Sequence, residues 1–461
     1  MQDLFTQKTQ SSLIPIHAII FQDFESWKKS QSDYIQRWIT IMHFKAKSGS
    51  YCIIPSQNGQ LDSVLLGIKN QADFLAFGVL SAHLPAGVYQ IHGVENVQYA
   101  ALGWGLGAYQ FSKYKSHDAK KATLFLSSDI NKKLLEDWLE AIYLARDLIN
   151  TPAEDMGPVD IERATKKIAA EFSADCHSIV GDKLLTENYP SIHAVGRASS
   201  REPRVIDLRW GDKNNPKITL IGKGVCFDTG GLDLKTASGM LLMKKDMAGS
   251  AMMLALSRMI MSQHLPIQLR LLIGAVENSV AGNAYRPGDV FKTRSGKTIE
   301  IKNTDAEGRV VLCDLLTEAC SESPELIIDF ATLTGAARIA LGEDIPAFFT
   351  RDDLLAEQLL QSAKQSHDMI WRLPLVSNYR DKLQSDIADI ATCSDSPWGG
   401  SITAALYLQA FVDKKIPWVH FDTPAWNFKT KPGRPVGGEV FAIRAVFDYL
   451  LNNLAKPAKI T

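Results

Sequence analysis

Two stretches of this 461-residue chain concentrate side chains that could do chemistry together. GKGVCFDTGGLDLK (Gly222 to Lys235) and the following GMLLMKKDMAG (Gly239 to Gly249) carry Lys223, Asp228, Lys235 and Asp246. NTDAEGR (Asn303 to Arg309) carries Asp305, Glu307 and Arg309. Four carboxylates brought together repel and raise one another's pKa unless cations compensate. Divalent metal is the natural compensation: oxygen-rich sites suit Mg2+ or Mn2+, and Zn2+ also accepts carboxylates. Carboxylates that bridge can hold two ions about 3.5 to 4 Å apart, a geometry that several classes of hydrolase use. None of the ten histidines lies in an HExxH string, so a thermolysin-like zinc site is not expected.

Each residue also has a plainer reading. Asp246 before Met247 is a favoured helix N-cap, and taken alone capping is the better account of it. Thr304 followed by Glu307 is a capping box, which would explain neither Asp305 nor Gly308 at a helix start. An extended backbone over NTDAEGR would instead point Asp305, Glu307 and Arg309 to one side. The glycines do not form a phosphate loop, since GxxxxGK[ST] is missing. Asp233 reads as a loop hydrogen-bonding residue and Cys226 as a buried small side chain. Met240, Met247, Met252 and Met253 read as packing, with Met243 set apart as a pocket residue. His420 and Asp422, at the end of a strand, read as a structural histidine and a group behind the site.

The elements that must position these residues follow from the apolar pattern. Beyond about residue 150, near-continuous apolar strands alternate with helical segments, which indicates a mainly parallel sheet covered on both faces. The expected strands are Ile218 to Gly222, Leu271 to Val276, Leu326 to Ala331 and Trp418 to Phe421, with a shorter one over Thr298 to Lys302. The expected helices are Met247 to Met261, Val310 to Cys320, Ile402 to Val412 and Val440 to Leu451. In such sheets ligands gather beyond the carboxyl ends of the strands, where both charged stretches fall. Residues 1–130 read as a smaller α/β domain with short runs HAIIF, YCII and SVLLGI, 131–152 as a connecting helix and 153–461 as the catalytic domain. Lys plus Arg total 50 against 51 Asp plus Glu, so there is no global field to attract nucleic acid or anionic lipid. Six scattered cysteines suit a reducing compartment. Met1 to Ser12 lacks the order of a signal peptide and no apolar run is long enough to span a bilayer, so a cytoplasmic location is expected.

The strings GKGVCFDTGGLDLK, MLLMKKDMAG, ENSVAGNAYRPGDV, NTDAEGR and DFATLTGA together resemble the leucine aminopeptidase family of dinuclear metallopeptidases, the cytosol aminopeptidases. The likeness runs over about residues 140 to 450 and is strongest from 217 to 342, with GWGLGAYQFSKYK (Gly103 to Lys115) a looser N-terminal match. It implies that Lys223, Asp228, Asp246, Asp305 and Glu307 are metal ligands, with Asp228 and Glu307 shared between two ions. Lys223 and Asp246 would serve the tighter site and Asp305 the more exchangeable one. It further implies that Lys235 contacts the substrate carbonyl oxygen, that Arg309 holds a bicarbonate acting as general base, and that Met243, Asn303, Thr332 and Gly335 line the pocket for the first side chain. The implied cofactors are two Zn2+ or Mn2+ ions, with Mg2+ or Co2+ as alternatives, and the implied assembly is a homohexamer with a macro-like N-terminal domain. Lys244, Lys245 and the stretch Pro435 to Arg444 depart from the usual pattern.

The expected activity is removal of a leucine-like N-terminal residue from peptides by a metal-activated water, the free α-amine completing one ion's coordination. Two other readings stay open at this point. A two-metal phosphoesterase would prefer a nitrophenyl phosphate to an aminoacyl anilide, and a metal-stabilised scaffold would bind ions without turning over amides.

Overall fold

A computed structural model describes residues 4–8, 12–117 and 122–455, so the reading of Met1 to Ser12 falls partly outside the described residues. The chain divides into two units, Met1–Tyr143 with Asn427–Val436 and Leu144–Trp426 with Gly437–Thr461. The first unit contains β1 (Phe5–Thr6), β2 (Ile14–Ile20), β3 (Tyr51–Pro55), β4 (Leu61–Ile68), β5 (Gly87–His92) and β6 (Ala122–Phe125) in the order β1-β6-β5-β2-β4-β3. All neighbours run parallel except the edge pair β3 and β4. The helix Lys132–Asn150 carries the chain into the second unit.

That unit adds β7 (Asp175–Val180), β8 (Arg204–Trp210), β9 (Lys217–Asp228), β10 (Gln268–Asn278), β11 (Val290–Lys292), β12 (Thr298–Glu300), β13 (Leu326–Ala331), β14 (Ala347–Phe349), β15 (Trp371–Arg372), β16 (Ile390–Ala391) and β17 (Trp418–Asp422). Eight of them form one sheet in the order β15-β14-β17-β13-β9-β10-β8-β7. The four central strands, β17, β13, β9 and β10, are mutually parallel, whereas β8, β7 and β14 pair antiparallel. The mainly parallel core flanked by helices is therefore as expected, and its antiparallel edges are an addition. DCHSIV of β7 and RVIDLRW of β8 lack the continuous apolar run that marks a strand buried on both faces, whereas β14 is a short, fully buried AFF.

The helix Ala248–Ser262 shows why the core pattern was legible. Every residue from Ala248 to Met261 is buried, and the segment is apolar nearly all round, its one charge, Arg258, being paired with Glu171 at 2.7 Å. Its two hydroxyls turn back onto the helix: Ser250 donates to Met247 O at 2.6 Å and Ser257 to Met253 O at 2.8 Å. Such a helix needs close approach to the sheet. At Gly249 an added Cβ would stand 2.1 Å from Phe330 O.

Helix boundaries moved for local reasons. Val440 to Leu451 was expected as one helix, but Ala442 takes a left-handed φ of 62°, so the helix runs only over Ile443–Tyr449 before a π turn, Leu450–Leu454. Ile402 to Val412 is instead Gly400–Gln409, opening one residue after Gly399 at φ 74°. Gly249→Ala is expected to cost about 1–3 kcal/mol through overpacking against β13, seen as a lower thermal unfolding midpoint with both units still folded at 20–25 °C.

Candidate metal centre

Because β9, β10, β13 and β17 are parallel, their carboxyl ends open on one edge of the sheet. Asp228 ends β9, Asn278 ends β10, Thr332 follows β13 and Asp422 ends β17. Lys223 sits earlier in β9, one residue beyond Gly222, the last position at which β9 pairs with β13. Its Nζ donates to Thr332 O at 3.0 Å. Helix Glu307–Cys320 closes the nest by bringing Glu307 and Arg309 in on its first turn.

The capping readings do not hold. Asp246 lies in a 3-10 turn, Met243–Met247, and the helix after it has no side-chain cap. Its carboxylate is taken by the interior: Thr332 Oγ1 donates to Oδ1 at 2.7 Å and Lys223 Nζ lies 2.8 Å from Oδ2. Thr304 forms no capping box, since its hydroxyl bonds Gly230 O at 2.6 Å and Asp233 at 3.2 Å. The extended geometry expected over NTDAEGR is also not found. Only Asn303 is extended; Thr304–Ala306 is a 3-10 turn and the helix starts at Glu307. Asp305 and Glu307 converge through this tight turn, not through strand alternation.

The sum is a nest of opposite charges. Oxygens of Asp228, Asp305 and Glu307 lie within 4.8 Å of one another. Lys223 Nζ stands 2.8 Å from Asp246 and 2.7 Å from Glu307, and Lys235 Nζ stands 2.7 Å from Asp228 and pairs with Asp305 as well. Burial opposes ionisation throughout, and neighbouring charges decide which groups overcome it. Burial and then Asp246 push the Asp228 carboxyl up to about 6. Burial and then Asp228 raise Glu307 well above the carboxylate range. For Asp246 the Lys223 and Lys245 charges outweigh burial and lower its pKa. Burial would neutralise Lys223 and Lys235, but Asp246 and Glu307 around the first and Asp228 around the second hold both above the usual lysine value. Lys245, fully desolvated, is pushed down to about 8.

This nest forms one wall of a cleft of about 310 Å³, and every residue that the family resemblance assigns to the site lines it: Lys223, Asp228, Lys235, Met243, Asp246, Asn303, Asp305, Glu307, Arg309, Thr332 and Gly335. Arg309 donates to Thr392 O at 2.6 Å and to Cys393 Sγ at 3.5 Å, while its buried Nε has no hydrogen-bond partner among the described residues. Asp233 accepts from Thr304 N at 2.8 Å, Cys226 is buried, and Met247, Met252 and Met253 pack the core, as read from the sequence, whereas Met240 is only half-buried and lies outside the core. His420 pairs with Asp329 at 2.5 Å as a structural histidine, and Asp422 accepts from Leu333 N, Thr334 N and the Thr334 hydroxyl, fixing the loop after β13.

Sequence reasoning passed over the supports. Asn278 donates to Asp228 Oδ1 at 2.8 Å and to Thr304 O at 3.0 Å, and Tyr285 donates to the same carbonyl at 2.6 Å. Both lie in ENSVAGNAYRPGDV, so the signal was present but carried no residue role. Lys245 and Arg338 also line the cleft and were not assigned to it. A larger cleft of about 720 Å³, lined in part by Arg351, Arg372 and Arg380, shares none of these residues, and its guanidinium groups are engaged with Asp413 O, Thr350 O and Gln409.

Glu307 Oε2 and Asn278 Oδ1 are buried without hydrogen-bond partners among the described residues. Four carboxylates, an oxygen left unsatisfied and a lysine able to ligate as the neutral amine make a donor set suited to divalent ions. Gly308 is part of this fit: an added Cβ would stand 2.6 Å from Lys223 Cε, so only glycine lets the helix start pass over the lysine.

Comparison with known proteins identifies the family of the whole chain. A family model described as "Cytosol aminopeptidase family, catalytic domain" matches residues 143–447, and one described as "M17 aminopeptidase, N-terminal domain" matches 14–127. A probable cytosol aminopeptidase of Rhodopirellula baltica is 41% identical over 316 residues, spanning 68% of this chain and 62% of that relative's length. Among solved structures, the cytosol aminopeptidase of Coxiella burnetii is 50% identical and superposes with a TM-score of 0.94, covering 98% of this chain and 99% of the other. The bottromycin maturation enzyme BotP in complex with Mn is 31% identical with a TM-score of 0.87, covering 96% and 99%.

Uptake of divalent ions should release protons, because Lys223 must surrender one to ligate and bound ions would favour the ionised form of Glu307, whose carboxyl burial and then Asp228 raise above the usual range. Affinity is therefore expected to strengthen as pH rises from 6 to 8, about tenfold per unit for each proton released. Calorimetry in buffers of different ionisation enthalpy would count those protons, and a pH-independent affinity would contradict the ligand set. Gly308→Ala is expected to lower ion content by displacing Lys223, read by elemental analysis of the purified protein.

Proposed function

The chain belongs to the cytosol aminopeptidase family, and from that premise we propose that its cleft removes the first residue of a peptide with two divalent ions held by Lys223, Asp228, Asp246, Asp305 and Glu307. Membership makes it a hydrolase and an aminopeptidase; the ion count, the mechanism and the side-chain preference are the proposal. The observation that carries it is the convergence of Asp228, Asp305 and Glu307 within 4.8 Å beside two buried lysine pairs. Bound there, such ions would make a peptide carbonyl more electrophilic and a water acidic near neutral pH.

The chain's own groups do the rest. Lys235 is 14% exposed at its side chain, and Asp228 and Asp305 keep it a cation, so it can donate to the substrate carbonyl oxygen as negative charge develops. Lys223 takes the opposite state, ligating as the neutral amine. Arg309, oriented by Thr392 O, keeps its Nε free for an anion such as bicarbonate, the proposed general base. A free α-amine among the ligands would place the cut after the first residue. Met243, Asn303, Thr332 and Gly335 would receive that residue's side chain, with Met243 favouring a leucine-like one. Thr332 would also hold Asp246 in place through their hydrogen bond.

Zn2+ or Mn2+ is the proposed metal; BotP was solved with Mn. A cytoplasmic location and a homohexamer complete the proposal, with 1–130 and 153–461 as its two domains and 131–152 linking them. No helix of the described residues is long and apolar enough to cross a membrane.

Chelator-treated protein titrated with Mn2+ or Zn2+ should release the first residue of a leucyl dipeptide and leave its N-acetylated counterpart intact. Cleavage of both at equal rates would count against an amine ligand. Lys235→Ala should retain metal and lose on the order of 10²–10³ in kcat, whereas Glu307→Ala should lose metal and activity together. Full activity in Glu307→Ala would defeat the assignment.

A further inference from the structure

One cation in the cleft wall has no part in this mechanism. Lys245 is 5% exposed, and among the described residues no carboxylate lies within 4.0 Å of its amine and no side-chain hydrogen bond reaches it. Its neighbours are engaged: Lys244 donates to Asn150 O at 2.7 Å and lies over the Trp426 ring, and Asp246 is held by Lys223 and Thr332. Arg338 lines the same cleft without an ion-pair partner among the described residues, its Nη2 3.9 Å from where a Cβ on Gly335 would sit.

Desolvating an ammonium without a partner is costly, so an unpaired lysine in a cleft wall points to a counter-charge brought by a ligand. None of the cleft's own carboxylates pairs with it directly, although Asp246 acts on it through space. Asp246 and Glu307 pair with Lys223, and Asp228 and Asp305 pair with Lys235. The surplus cations stand beside the pocket proposed for the first side chain: Lys245 shares the turn Met243–Met247 with Met243, and Arg338 adjoins Gly335. A glutamate side chain offers apolar methylenes to Met243 and ends in the missing charge.

Resting on the aminopeptidase reading, we infer that Lys245, supported by Arg338, admits an acidic first side chain, so that peptides beginning with glutamate or aspartate are substrates beside those beginning with leucine-like residues. The holoenzyme's kcat/KM on glutamyl and leucyl anilides tests this in the native chain, Lys245→Met and Arg338→Gln. The native chain should cleave the glutamyl substrate. The glutamyl-to-leucyl ratio should fall about tenfold or more in Lys245→Met, and less in Arg338→Gln, as expected for loss of a charge-assisted hydrogen bond. Free glutamate should likewise inhibit leucyl turnover less well in Lys245→Met, a readout of binding alone. A native chain that cleaves only the leucyl substrate, or an unchanged ratio in Lys245→Met, overturns the inference and leaves the aminopeptidase reading standing. Inactivity on both substrates overturns that reading first. The ratio is insensitive to the fraction of folded protein, and if Lys245→Met does not fold, the half-buried Arg338 decides by the same ratio.

Discussion

The catalytic unit is organised around an electrostatic debt: four carboxylates crowded at the edge of an apolar sheet, three of them buried, with two lysines between them. Neither set of charges could be desolvated alone. Lys223 bridges Asp246 and Glu307, Lys235 bridges Asp228 and Asp305, and each pair draws on segments far apart in the chain. A ligand set that binds divalent ions must be anionic and preformed, and a preformed anionic set needs internal cations when no ion is present. The lysines meet that requirement; in the proposed mechanism Lys223 would become a ligand and Lys235 would stay a proton-bearing donor.

The surroundings serve this arrangement. Parallel pairing brings four strand ends to one edge, and the buried helix Ala248–Ser262 presses on the sheet just after Asp246. Behind the carboxylates stands a layer of neutral polar groups. Asn278 and Tyr285 hold the turn at Thr304, Thr332 holds Asp246, and Asp422 fixes the loop after β13. These bonds fix directions that the charged groups alone would leave adjustable, which is the usual requirement on ligands of a metal site.

Glycine has two distinct duties here. At Gly249 it allows backbone contact between helix and sheet, a matter of packing. At Gly308 it allows Lys223 to run beneath a helix start, a matter of chemistry. Read from the sequence, Gly308 stood out only as an unfavourable residue for a helical position.

The identity of the charged groups and the strands that carry them were legible in the chain, because buried parallel strands and acidic motifs leave local signatures in residue type and period; the class of chemistry came from the likeness of those motifs to a family. The antiparallel edge strands, the helix starts at Ile443 and Gly400, and the turn at Thr304–Ala306 were not, since each depends on a neighbour or a left-handed residue that periodicity does not encode. Asp246 shows the limit most clearly. Its local sequence favours a cap, yet its carboxylate bonds Lys223 and Thr332, residues 23 and 86 positions away by their numbers. Which partner a buried charge finds is decided by desolvation and distance in three dimensions, and only the tertiary structure fixes those; the same holds for Lys245, which has no carboxylate within 4.0 Å among the described residues, a spacing that no reading of adjacent residues could reveal.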